Sequence, residues 1–283
     1  MAVDTAQIRD SVIGLREILP FVRMREIATC SADEYANAQP YPHAVIDGFF
    51  DEWILDTILA EFPRPTDKNW ERHEYAEEVK LQSKHEQGIP LFTRQFLHTL
   101  NSAPFLNFLE KLTGIDKLLG DPQFEGGGLH QIPAGGKLAI HADFNKQGYY
   151  GLDRRLNLLV YLNKNWKEEY GGHFELWDPK MSHMVAKVAP IFNRVVIFST
   201  SRYSYHGHPD PLMCPPDVTR KSLALYYYTI GDTPAEAKGT RHSTLFQARP
   251  GEKFKLNGKQ LARDLTPPII WRTLARSFGS GEV

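Results

Sequence analysis

In the run LAIHADFN, residues 138–145, a histidine and an aspartate stand two positions apart inside an apolar stretch. On a strand, residues i and i+2 point to one side, so His141 and Asp143 face the same space while Ala142 faces away. With eleven histidines in the chain, one such pair arises readily by chance, and a hydrogen-bonded core histidine is the simpler account until further ligands are found. Two histidines and one carboxylate on a single face of an octahedron leave three positions open, which suits non-haem Fe(II) and dioxygen. The third ligand must then come from a distant strand. SRYSYHGHPDPL, residues 201–212, offers His206 and His208 two apart, and their spacing alone gives neither the role.

TRKSLALYYYT, residues 219–229, reads as a strand with Arg220 and Ser222 on one side and Lys221, Leu223 and Leu225 on the other. An unpaired guanidinium in an interior is costly, so Arg220 calls for an anion. The carboxylate of a bound organic acid would meet it bidentately, with the Ser222 hydroxyl adding a hydrogen bond. His130 and Gln131, about ten residues before the His141–Asp143 pair, either line the same pocket or pack as ordinary strand residues. Arg202, Tyr149, Tyr150 and Arg154 flank the inferred mouth, as substrate contacts or as solvated loop.

These residues need a scaffold that brings several strands to one interior. From Phe124 onward the chain breaks into eight short β-like runs: FEGGGLHQI, GKLAIHAD, RLNLLVYLN, HFELWD, HMVAKVAP, NRVVIFS, SYHGH and RKSLALYYYT, each bounded by Gly, Pro, Asn or Asp. Helical periodicity precedes them in residues 5–27 (interrupted by Pro20), 51–63 (capped by Asp51) and 102–119. Residues 41–50 read as a strand and turn, and the polar stretch Arg64–Gly88 as a loop or mobile lid. The pattern predicts a mainly β protein with flanking helices, a jelly roll or cupin-like barrel. Its expected divisions are an N-terminal helical arm over 1–40, the barrel domain over 41–232, and a C-terminal basic extension over 233–283 packed on that domain. The extension is either solvated surface or an aid in drawing in an anionic substrate.

The 42% apolar and 24% charged content and the formal net charge of -1 fit an ordinary globular protein and give no field for wrapping nucleic acid. No apolar run has the length of a membrane span. Cys30 and Cys214 are too few for a disulfide framework, and the N-terminus lacks the apolar core of a secretion signal. The expectation is a cytoplasmic protein without nucleic-acid or membrane partners. FEGGG and PAGGK lack the spacing and the Ser/Thr of a phosphate-binding loop, Cys214 has no partner at metal spacing, and no serine sits in a nucleophile-elbow pattern.

H-x-D, a distal His and R-x-S on the last strand together resemble the iron- and 2-oxoglutarate-dependent dioxygenases. VYLNKNWKEEYGGHFELWD, residues 160–178, is similar to the prolyl 4-hydroxylase branch, where Y-L-N-x-x-W followed by G-G-x-L-x-L is characteristic. The resemblance spans roughly residues 41–230 and implies a double-stranded β-helix. It implies His141, Asp143 and His206 as iron ligands and catalytic centre, with His208 left as the alternative because the His-to-Arg segment is longer here than is usual. His206 is preferred because the family's distal His is followed two or three positions later by an apolar residue and proline. It also implies that Arg220 and Tyr161 hold the distal carboxylate of 2-oxoglutarate and that Gly171 and Gly172 let a strand turn close to the site; the strand positions of Ser222 and Gln131 add them as cosubstrate contacts. The implied cofactors are Fe(II), 2-oxoglutarate and dioxygen, with ascorbate as a reductant. The implied reaction couples decarboxylation of 2-oxoglutarate to C–H hydroxylation of a prolyl, amino-acid-like or other small or peptidyl substrate. Related halogenases carry a small residue at the Asp143 position, so the carboxylate points to hydroxylation. The alternative is a metal-binding sensor or regulatory module of the same fold without turnover.

Overall fold

In the computed structural model of the chain, residues 14–121, 123–231 and 241–252 are described. The first part of the helical pattern over 5–27 and most of the basic extension after residue 232 lie outside the described residues. Thirteen strands are found among the described residues: β1 (His43–Asp47), β2 (Trp70–Glu74), β3 (Glu78–Ser83), β4 (Leu119–Gly120), β5 (Gly128–Ile132), β6 (Lys137–Ala142), β7 (Asp153–Tyr161), β8 (Phe174–Trp177), β9 (Met184–Val188), β10 (Arg194–Ser199), β11 (His206–His208), β12 (Arg220–Thr229) and β13 (Leu245–Phe246). The eight runs read from Phe124 onward correspond to β5 through β12.

Pairing follows the order β1-β10-β7-β12-β5-β3-β6-β11-β8-β9, with β2 on β3, β4 on β12 and β13 on β6. β3 hydrogen-bonds to both β5 and β6, so one continuous antiparallel sheet folds over on itself and forms a nearly closed barrel, the jelly-roll architecture. One limb is β1-β10-β7-β12-β5 and the other β6-β11-β8-β9. The alternation of side chains along the first limb explains why the helices sit on its outside. Leu156, Leu158 and Val160 of β7, Val195 and Ile197 of β10, and Leu223, Leu225 and Tyr227 of β12 share one buried cluster with Ile54, Leu55, Phe96, Leu97, Phe105 and Leu109 from the helices Glu52–Ala60, Leu91–Leu100 and Ala103–Thr113. Ile18, Leu19 and Met24 from the N-terminal helices join the same cluster. The intervening residues of these strands face the barrel interior.

Two local expectations are corrected. Asp51 stands at the N-cap of Glu52–Ala60, but its side chain makes no capping hydrogen bond. The stretch Arg64–Gly88 is not a loop: β2 and β3 form a hairpin, and β3 closes the barrel. Its sequence reads as polar because Glu78, Lys80 and Gln82 alternate onto a polar cavity while Leu81 packs in the helix-side core. Period-two alternation therefore carries charge on its inner face, the reverse of the usual strand signal. No helix among the described residues is long and apolar enough to cross a membrane.

Candidate active site

The barrel interior encloses a cavity of about 400 Å³ lined from both limbs, including His130 and Ile132 of β5, His141, Asp143, Asn157, His206, His208, Arg220 and Ser222. Antiparallel register sets its centre. His206 lies directly opposite His141 across the β11–β6 pair, and facing residues of such a pair come within reach of one another. Their ring centroids are 4.5 Å apart. His208 is opposite Leu138 instead, past an irregularity in the pairing. Gly207 permits this, since a Cβ there would lie 2.8 Å from the carbonyl oxygens of Leu138 and Ala139. Asp143 follows the end of β6, and one ligand atom from each of His141, Asp143 and His206 falls within 4.8 Å of the others.

Hydrogen bonds fix which ring nitrogen faces the centre. His141 Nδ1 donates to the Ala139 carbonyl at 2.9 Å and His206 Nδ1 to the Ser204 carbonyl at 2.9 Å. A carbonyl only accepts, so in a neutral ring the lone pair sits on Nε2. His141 Nε2 lies 3.6 Å from Asp143 Oδ1, and His206 Nε2 lies 3.4 Å from Asp143 Oδ2. Burial pushes the His206 pKa down to about 4, against the opposing pull of Asp143, so near pH 7 its Nε2 lone pair faces a carboxylate oxygen with no proton between them. That is repulsive unless a cation occupies the gap, and this donor set, two imidazoles and a carboxylate, fits Fe(II).

Asp143 is held by groups the sequence reading did not assign to it. Asn157 Nδ2 donates to Asp143 Oδ2 at 2.6 Å, and Arg154 Nη2 is 3.2 Å from the same oxygen. Arg154 Nε donates to Asn157 Oδ1 at 2.9 Å, and its guanidinium lies 3.4 Å from the Tyr226 ring centroid and 4.3 Å from that of Phe144. Burial opposes ionisation of Asp143, but Arg154 first, then His206 and His141, hold its carboxyl well below the usual range. Replacing Asn157 by alanine is expected to weaken metal binding about 10- to 100-fold while the protein stays folded, read by Fe(II) or Mn(II) titration alongside circular dichroism.

At the other end, Arg220 is buried at 4% exposure. Its Nε donates to the Gly172 carbonyl at 2.8 Å and its Nη2 to the Tyr161 hydroxyl at 3.3 Å, and both partners are neutral. No acid counters it among the described residues, and burial lowers its pKa. Arg154, by contrast, has Asp143. Ser222 lines the cavity beside Arg220. Gly172 has φ +68°, and a Cβ there would fall 2.4 Å from Leu212 Cδ2 and 3.1 Å from Arg220 Cδ. Gly172→Ala is therefore expected to destabilise the fold by about 1–3 kcal/mol and to displace Arg220, measurable as a lower urea midpoint.

The structure thus brings together His141, Asp143, His206, Arg220 and Ser222 around one cavity. Tyr161 is fully buried and reaches Arg220 without lining the cavity. Gln131 does not come to the site: it shares the face of Leu129, pairs against Leu81 and Lys221, and donates to Thr219 Oγ1 at 2.8 Å. Its neighbour His130 lines the cavity in its place. Arg202, Tyr149 and Tyr150 are not among the lining residues, whereas Arg154 is buried there. Asn157 was detectable in sequence as the one amide inside the apolar run LNLLVYL, residues 156–162, since a buried polar side chain demands a partner.

Comparison with known proteins adds to this geometry. Residues 127–228 match the family model of the 2OG-Fe(II) oxygenase superfamily. No curated protein matches the sequence. Among solved structures, the chain is similar to a prolyl hydroxylase from Trichoplax adhaerens in complex with a hypoxia inducible factor peptide fragment, with TM-score 0.51 and 17% identity over 80% of this chain and 94% of that one. It is also similar to a prolyl 4-hydroxylase from Phytophthora capsici, with TM-score 0.50 and 20% identity over 86% of this chain and 72% of that one. At such identities these likenesses show the shared fold. The matched segment runs from β5 to β12 and contains His141, Asp143, His206 and Arg220, so the candidate ligand cluster and the buried guanidinium both lie in the part of the chain that is similar to the 2OG-Fe(II) oxygenase superfamily.

Proposed function

We propose that the protein hydroxylates a C–H bond of a prolyl, amino-acid-like or other small or peptidyl substrate, with His141, Asp143 and His206 holding Fe(II) and Arg220 receiving the distal carboxylate of 2-oxoglutarate. The observation that carries this reading is the pairing, in one cavity, of a two-imidazole, one-carboxylate cluster with a buried guanidinium that has only neutral partners. When bound, the metal and cosubstrate supply the oxygen activation, and 2-oxoglutarate leaves as succinate and carbon dioxide. The chain supplies position and dryness. Asn157 and Arg154 fix the Asp143 carboxylate, and the carbonyls of Ala139 and Ser204 fix the two imidazoles. Arg220, propped by Tyr161 and Gly172, orients the carboxylate, with the Ser222 hydroxyl beside it. Phe174, Phe198 and Phe246 face the cavity and exclude water.

The prolyl preference is supported by the Y-L-N-x-x-W and G-G elements of residues 161–176 and by the fold shared with prolyl hydroxylases. The hairpin β2–β3 brings Glu71, His73, Glu78 and Lys80 to the cavity rim, where a substrate would enter. Anaerobic addition of Fe(II) and then 2-oxoglutarate is expected to give the weak visible charge-transfer absorption of the chelate, followed in air by succinate formation that a prolyl peptide or amino acid stimulates. Absence of the band overturns the site assignment. A band without substrate-stimulated succinate across such a panel favours the sensor reading over the hydroxylase.

A further inference from the structure

His208 is 3% exposed and lines the cavity, yet neither of its ring nitrogens has a hydrogen-bond partner. It is not in the His141–Asp143–His206 group. A neutral imidazole carries one N–H and one lone pair, and burying both without partners costs stability that an apolar residue at this position would not incur. Such an orphaned group inside a binding cavity points to a ligand that completes it. Its place identifies which end of the ligand: Leu138, opposite His208, and Ile132, opposite Arg220, stand on either side of the β5–β6 turn and both line the cavity, so His208 lies toward the Arg220 end, away from the His141–His206 pair. The second cation at that end, Lys80, is already paired with Glu78 at 2.6 Å. Arg220 also spends Nε on Gly172 and Nη2 on Tyr161, which leaves it fewer donors than a carboxylate with two oxygens can accept.

We propose that His208 is a second anchor for the distal carboxylate of the 2-oxo acid, donating its N–H to one oxygen while Arg220 and Ser222 serve the other, and that it selects a dicarboxylic over a monocarboxylic 2-oxo acid. The inference rests on the reading that Arg220 receives that carboxylate.

The test uses the Fe(II)-loaded full chain under anaerobic conditions, with His208→Leu, which keeps bulk without a donor, and His208→Gln, which restores an N–H. Dissociation constants are measured calorimetrically for 2-oxoglutarate and for 2-oxobutyrate, which lacks the distal carboxylate, and Fe(II) affinity is measured separately. The leucine variant is expected to bind 2-oxoglutarate about 10- to 100-fold more weakly, the worth of one hydrogen bond to a charged group, with the glutamine variant recovering most of the loss. Binding of 2-oxobutyrate and of Fe(II) is expected to stay within about twofold in both variants. Unchanged 2-oxoglutarate affinity in a folded leucine variant overturns the proposal, as does an equal loss for both acids or a fall in Fe(II) affinity, which would place His208 on the metal side. Failure of the unmutated protein to bind 2-oxoglutarate at all would instead remove the underlying site reading.

Discussion

Asp143→Gly is expected to abolish hydroxylation, to weaken Fe(II) binding by more than about 100-fold, and to destabilise the fold. The first two effects follow from losing a ligand, which should exceed the 10- to 100-fold range of a supporting residue such as Asn157. The third comes from Arg154, whose side chain is 1% exposed and has Asp143 as its ion-pair partner. Removing one member of a buried pair leaves the other uncompensated and costs about 3–5 kcal/mol. Asp143→Asn separates the effects, because a neutral amide still offers Arg154 and Asn157 an acceptor oxygen. The asparagine variant is expected to lose metal affinity but to recover much of the urea midpoint. The pH dependence has a definite sign. Pairing holds the Asp143 carboxyl well below its ordinary value, so its contribution is fully present above the unfolded value of about 3.9 and is lost as pH falls through the folded one. The stability gap between the metal-free unmutated protein and Asp143→Gly is therefore flat from pH 5 to 8 and narrows only in acid. Full turnover by the glycine variant would remove Asp143 from the metal.

The barrel was legible because its strands are short and punctuated. Six of the eight runs after Phe124 end in or directly before Pro, Asn or Asp, and each of the eight coincides with a strand of the sheet. His141 was legible because strand parity sets it apart from Ile140 and Ala142, which pack on the opposite face with Trp177 and Tyr205. Parity failed one strand earlier. In GGGLHQI the apolar residues fall on both parities, Leu129 toward the helices and Ile132 toward the cavity, so nothing local decides between His130 and Gln131. Only the cross-strand register with β12, which sets Ser222 against His130, resolves it. The choice between His206 and His208 is likewise a matter of register, since both line the cavity and only one lies across from His141.

The hairpin β2–β3 and the short strand β13 were hidden for a different reason. β3 carries its polar face inward, so hydrophobic periodicity reports nothing until the cavity it lines is known. β13 is two residues long, too short for any periodic signal, yet it pairs with β6 beside the candidate ligands and brings Phe246 to 5.6 Å from the His141 ring. Residues 241–252 are joined to the barrel by further bonds, from the Gln247 amide to the Ile140 carbonyl and from Arg249 to Asp210 at 2.9 Å. This part of the C-terminal segment therefore forms one wall of the cavity, a placement that its basic composition did not signal.

Arg220→Met is expected to move two measurements in opposite directions. Burying a guanidinium with only a carbonyl and a phenol as partners is unfavourable in the ligand-free protein, because neither neutral group returns what desolvation removes. Methionine fills a similar volume without that cost, so the metal-free, ligand-free variant is expected to unfold at an equal or higher urea concentration, by up to about 1–4 kcal/mol. Affinity for 2-oxoglutarate is expected to fall by about 2–5 kcal/mol, roughly 30- to 5,000-fold, because the carboxylate would then enter a buried site without its counter-charge. Binding of 2-oxobutyrate should change far less. The same comparison fixes the sign of ligand stabilisation: saturating 2-oxoglutarate should raise the midpoint of the unmutated Fe(II)-loaded protein by mass action and leave the variant almost unmoved. A variant that is both less stable without ligand and unimpaired in 2-oxoglutarate binding would make Arg220 a packing residue. The opposed shifts would instead identify it as a charge retained for its ligand at the expense of the empty fold.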